Sequence, residues 1–193
     1  MIRPNYFEIL EGLSKIASEA VQIACSERSK DSRPLRDTPR AHLCELREEC
    51  DRMICTLEDA LFHDFVPPLQ RDNIASLSHG FWRVVSRATE HYCTARTVGH
   101  ENEEEQLCIV LSQKLAESTA MLRHIKSPEK TPSLTEFRTL LRRAGEAHNA
   151  YVARINSGRL PHSCEIRALS CARLRYDISQ SFDGLVEVML GNI

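Results

Sequence analysis

Where the chain breakers fall constrains this sequence more than any other feature. Its eight prolines are Pro4, Pro34, Pro39, Pro67, Pro68, Pro128, Pro132 and Pro161, and they lie at the edges of long runs of three-and-four apolar spacing. Proline lacks the amide a helix interior needs and its ring clashes with the preceding turn, so the runs between prolines are the helical segments. Strand-like alternation is scarce, and the expectation is an all-α chain.

Six runs emerge. Residues 5–28 carry Phe7, Leu10, Leu13, Ala17, Ala20, Val21 and Ala24 on one stripe. Residues 40–64 carry Leu43, Leu46, Cys50, Ile54, Leu57 and Leu61, with Pro67 and Pro68 beyond as a stop. Asp72 is the expected N-cap of a third helix with Ile74, Leu77, Phe81, Val84, Val85, Ala88 and Tyr92 inward, ending at Gly99. A fourth opens on Glu103-Glu104-Glu105, acidic groups suited to the positive end of the helix dipole. Its expected core face is Leu107, Val110, Leu111, Leu115, Leu122 and Ile125. Ser133 with Glu136 forms a capping-box pattern for a fifth helix that runs to Ser157 before Gly158. The sixth spans 163–190, with Ile166, Leu169, Leu174, Ile178, Leu185, Val188 and Met189 read as core. Helices of this length are each roughly 36 Å long at 1.5 Å per residue. Four short connections favour antiparallel neighbours, and the polar stretch 29–39 is the expected mobile loop. The expected architecture is one domain over residues 1–193, an up-and-down bundle in two three-helix halves of about 1–99 and 100–193.

Composition narrows the class. The chain has 193 residues, 42% of them hydrophobic and 27% charged, which suits a packed core rather than disorder. A formal charge of −2 argues against a nucleic-acid binder. No run approaches the roughly 20 apolar residues of a membrane span, and Glu8 interrupts the start too early for a signal peptide. The expected setting is soluble and cytoplasmic. Eight cysteines without a C-x-x-C pair read as reduced thiols packed like small hydrophobes, with Cys44/Cys55 and Cys164/Cys171 at near-whole-turn spacings.

The segment Glu45 to Tyr92 resembles the PhoU-like family of phosphate-transport accessory proteins found with Pit-type transporters. In that family an acidic helix leads into a phenylalanine, a proline and an Arg-acid-x-Ile turn. Here those positions are Phe65, Pro68, Arg71, Asp72 and Ile74, with Leu77 following. The resemblance covers about a quarter of the chain and implies a PhoU-like bundle of about six long antiparallel helices. It also implies a cytoplasmic accessory or regulator of inorganic phosphate transport or signalling. The implied partner is a Pit-type transporter or a signalling protein, with a homo-oligomer expected and membrane contact at most peripheral.

Family members often bind multinuclear metal clusters on acidic motifs, because carboxylates at i and i+4 share a helix face and can bridge a cation. In this chain arginines interrupt those motifs. Arg47 stands four before Asp51, Arg173 four before Asp177, and the facing acidic set falls at Trp82, Arg83 and Ser86. Arg47–Asp51 and Arg173–Asp177 read as intrahelical ion pairs. No metal, cofactor or catalytic residue is expected.

Other chemistries find little footing. His42/Cys44, His91/Cys93 and His162/Cys164 are two apart, too divergent on a helix to share an ion. No histidine has an acid three residues before it, which excludes the ferritin-like di-iron pattern. No nucleophile elbow, Walker loop or dinucleotide fingerprint occurs, so an enzyme is not expected. Arg138, Arg142 and Arg143, with Arg123 and His124, form either a basic surface for anionic lipid or an acidic loop, or an ordinary solvated face. Trp82 beside Phe81 lies either at the core's edge or exposed for a contact. The leading expectation is a non-enzymatic adaptor of phosphate transport. One alternative is a helical scaffold that has lost that role, and another is a reduced metal site on Glu48, Glu49, Asp51 or Asp177.

Overall fold

In the computed structural model the chain is described over residues 5–26, 38–64, 67–95, 102–124 and 134–191. Within these are six helices: α1 (Tyr6–Ser26), α2 (Thr38–His63), α3 (Arg71–Ala95), α4 (Glu103–Ala120), α5 (Leu134–Asn156) and α6 (Ser163–Leu190), with a short 3-10 turn Met121–His124 extending α4. The fold is all-α, as the periodicity indicates, and the described residues contain no strand. The 29–37 part of the expected mobile loop, Phe65, Gly99, Ile125 and the capping-box Ser133 lie outside the described residues.

Side-chain contacts fix the helix directions. Tyr6 meets Asp64 and Glu19 meets His42, so α1 and α2 run antiparallel. Glu58 meets His79 and Asp51 meets Trp82, which makes α2 and α3 antiparallel as well. Ser18 lies against Ser112 and Glu11 against Arg123, reversing α4 on α1. Lys114 with Glu136, and the stacked rings of Phe137 and Phe182 at 3.6 Å, continue the alternation through α5 and α6. Helices α1, α3, α6 and α4 form the central ring, with α2 laid on α1 and α3, and α5 on α4 and α6.

The core follows from the sequence stripes. Every predicted inward residue of α2 and α3 is buried, as are all those of α1 except the half-buried Phe7. Gly80 lets α3 and α6 approach closely, since a Cβ there would lie 2.9 Å from Ser181 Oγ and 3.4 Å from Ser181 Cβ. At the end of α5, Gly158 takes φ +72°, its amide bonds to the Ile155 carbonyl, and the Arg159 amide bonds to the Arg154 carbonyl. That pair of bonds is a Schellman stop, which requires a left-handed residue at the Gly158 position.

Three expectations are corrected. α3 begins at Arg71, so Asp72 lies in its first turn and does not cap it; the Gln70 carbonyl accepts the Ile74 amide instead. Val110 lies on the rim of α4 at 36% exposure. Ile166 and Leu169 face outward from α6, whose core face is instead Cys164, Arg167, Cys171, Leu174 and Ile178.

Candidate functional site

The turn that carries the family resemblance is a structural joint. Arg71 donates through Nη1 to the Leu61 carbonyl at 2.5 Å and through Nη2 to the Asp64 carbonyl. Those are carbonyls at the C-terminal end of α2, where a cation is favourable and intrahelical partners run out. Tyr6 Oη donates to Asp64 Oδ2, tying α1 to the same point. Ile74 and Leu77 fill the core beneath it.

Positions where the resemblance would place carboxylates are occupied by a different arrangement. Trp82 Nε1 donates to Asp51 Oδ1 at 2.6 Å, and the Arg47 guanidinium lies 5.6 Å from the centre of the Trp82 ring. Trp82 is thus half-buried at the core's edge. Asp177 accepts from Arg87 Nε at 3.1 Å, with Arg83 at 3.9 Å, and Arg173 pairs with Glu90 at 3.7 Å. The expected Arg47–Asp51 and Arg173–Asp177 pairs are therefore replaced by contacts between helices. Glu48, Glu49 and Asp51 are exposed on α2 while Asp177 is buried on α6, so the four do not converge. Among the described residues no three His, Cys, Asp or Glu side chains are grouped to hold a metal ion.

The most concentrated polar chemistry is a buried ionic cluster at the start of α4. Asn102 caps the helix, its Oδ1 accepting the Glu104 amide at 3.0 Å. Consecutive residues on a helix diverge by about 100°, so Glu104 and Glu105 enter the interior on two different sides. Glu105, 1% exposed, takes a bidentate contact from Arg167, Nε to Oε1 at 2.8 Å and Nη2 to Oε2 at 2.5 Å. His91 Nε2 donates to the same Oε1 at 2.9 Å, and its Nδ1 lies 2.8 Å from Ser170 Oγ. Glu104, fully buried, accepts from Arg175 Nη1 at 2.7 Å and from His148 Nδ1 at 2.9 Å. Arg175 also donates to the Ala144 carbonyl. Each glutamate thus has one arginine of α6 and one histidine, from α3 or α5.

Burial pushes the Glu104 carboxyl above its ordinary value, with Arg175 and His148 opposing the rise. The Tyr151 phenol lies buried beside the Cys164 thiol without a conventional hydrogen-bond partner, and burial raises it too. This cluster was not foreseen from sequence. Its available signal was Arg167, which falls on the same helical phase as Cys171, Leu174 and Ile178; an arginine in a core stripe demands buried carboxylates.

The remaining groups are dispersed. Among the described residues no disulfide joins the eight cysteines; Cys25, Cys50, Cys108, Cys164 and Cys171 are buried and Cys44, Cys55 and Cys93 exposed, so the core-thiol reading holds for five. Burial raises the Cys50 thiol to about 12. Cys108 and Cys171 sulfurs lie 4.0 Å apart, and that contact together with burial holds Cys171 well above the ordinary thiol range. In two of the three His-x-Cys pairs burial separates the partners, His91 buried with Cys93 exposed and His162 exposed with Cys164 buried, while His42 and Cys44 are both exposed. The basic patch is partly neutralised, Arg123 by Glu11 and Arg142 by Glu146.

α6 turns a second apolar face to solvent. Ile166 is 64% exposed, Leu169 53% and Tyr176 62%, spaced at three and seven residues on one side of the helix. No family model matches the chain, and no curated protein matches it. Among the described residues no helix is long and apolar enough to cross a membrane.

Proposed function

We propose that this chain is a non-enzymatic, cytoplasmic adaptor that works by protein–protein contact in inorganic phosphate transport or phosphate signalling. The observation that carries contact as its mode of action is the outward apolar face of α6. Isolated exposed apolar residues are ordinary, but a periodic row on one rigid helix marks an interaction surface. The buried carboxylates Glu104 and Glu105, by contrast, are paired inside the fold with guanidinium and imidazole groups. The phosphate role rests on the resemblance of residues 45–92, whose Arg71, Ile74 and Leu77 build the joint between α2 and α3. The partner in this reading is a Pit-type transporter or a signalling protein. Deleting the gene and measuring phosphate uptake and the phosphate-starvation response tests it. A change in either, restored by the intact chain and not by a Leu169→Glu variant, is expected. Unaltered uptake and signalling in the deletion strain would refute the phosphate role.

A further inference from the structure

Resting on that reading of the chain as a protein that acts by contact, we infer that the outward face of α6 pairs with the same face of a second copy, antiparallel about a two-fold axis. The face follows a three-four repeat through His162, Ile166, Leu169, Arg173, Tyr176, Gln180, Asp183 and Glu187, all exposed. Such a repeat is the seam along which two helices pack. Its charge is uneven: at one end Arg159 in the preceding turn and His162 offset Glu165, which lies 4.0 Å from His162, while Asp183 and Glu187 at the other end have no such offset on this face.

Only the antiparallel arrangement makes this face complementary to itself. With the axis near Cys171, Ile166 meets the other copy's Tyr176 and Leu169 meets the stem of its Arg173. Arg159 then lies opposite the other copy's Asp183. Arg173 already leans toward Glu90, leaving its methylenes to cover the leucine. A parallel pair would instead set Arg173 on Arg173 and Asp183 on Asp183, like charges in contact. The symmetric arrangement is isologous and closes as a dimer. Six large apolar side chains form its centre, a small interface, so the dimer dissociates on dilution.

Sedimentation velocity of the full chain over about a hundredfold range of concentration tests the inference. A concentration-dependent monomer–dimer equilibrium is expected, and Leu169→Glu or Tyr176→Glu should leave monomer throughout, with unchanged circular dichroism and with melting that matches the parent chain at dilutions where the parent is monomeric. Asp183→Arg should weaken association by about fivefold, and Arg159→Asp/Asp183→Arg should restore it. A chain monomeric at every concentration, a dimer indifferent to Leu169→Glu, or a double swap weaker than the single would each overturn it. A monomer whose Leu169→Glu variant still loses its effect on phosphate uptake would overturn self-pairing and give the face to another protein, leaving the proposed function standing. A dimer broken by Leu169→Glu, in a strain whose phosphate uptake ignores the gene, would uphold the pairing and sink the phosphate role.

Discussion

Replacing Arg167 with methionine should destabilise the fold out of proportion to the volume lost. Methionine approximates the apolar stem of arginine, so packing changes little, but Glu105 loses both guanidinium hydrogen bonds while remaining 1% exposed. Removing one partner of a buried pair typically costs about 3–5 kcal/mol, since the carboxylate left behind is desolvated without its counter-charge. Against a total stability of about 5–15 kcal/mol this is a large fraction. It corresponds to a drop in Tm of roughly 6–20 °C for a chain of this size. Adding Glu105→Gln removes the stranded charge and keeps an acceptor for His91 Nε2, so the double variant should recover at least about 1.5 kcal/mol relative to Arg167→Met alone. Urea unfolding at pH 7, followed by far-ultraviolet circular dichroism, measures both, and the denaturant slope should not change. A cost below about 1 kcal/mol for Arg167→Met, or strict additivity in the cycle, would refute a buried ionic contact between Arg167 and Glu105.

Two further outcomes follow from the packing and electrostatics. Gly80→Ala forces a Cβ against Ser181, whose Oγ is held by a bond to the Asp177 carbonyl, and should cost about 1–3 kcal/mol. Ser181→Ala in the same chain should recover much of it, and thermal melts of the three variants decide. Glu104 has a folded-state value raised above 4.5, so the native state binds its proton more tightly than the unfolded chain does. Its contribution to stability is therefore complete below pH 4.5 and is lost as pH rises through the raised value. Glu104→Gln should flatten the fall in stability from pH 4.5 upward, and an unchanged slope in urea titrations would contradict the burial argument.

Much of the helical framework is legible in the sequence because its signals are local. Breakers, caps and a stripe of apolar residues depend on neighbours within one or two turns, and Gly158 stops α5 by a backbone geometry that few other residues adopt. What misleads is anything that depends on a second helix. α6 has apolar residues on two faces, so periodicity finds the helix but not which face is inward, and Ile166 and Leu169 are assigned to the core. Asp51 and Asp177 each have an arginine four residues before them, yet Trp82 and Arg87 on α3 approach closer and take the carboxylates. Glu104 and Glu105 look like ordinary surface acids at a helix start, since charge in one dimension carries no depth. Phe65, another part of the resemblance, lies outside the described residues.

The two unexpected features of α6 bear on each other. Over residues 163–176 the two faces of α6 are comparably apolar, Cys164, Ala168, Cys171 and Leu174 against Ile166, Leu169 and Tyr176, so hydrophobic packing orients that half of the helix weakly. The charged groups remove that freedom: rotating α6 by one residue, about 100°, would carry Arg167 from Glu105 and Arg175 from Glu104. Both glutamates would then be stranded in the interior at several kcal/mol each, far more than the outward leucine and isoleucine would gain by turning in. On this argument the cluster selects which apolar face of α6 is presented, more than it adds stability. The Glu105→Gln/Arg167→Met chain should then keep much of its helix content and recover stability while its α6 resonances broaden or double in a proton–nitrogen correlation spectrum. A single sharp set of peaks, as in the parent chain, would show that apolar packing orients the helix unaided.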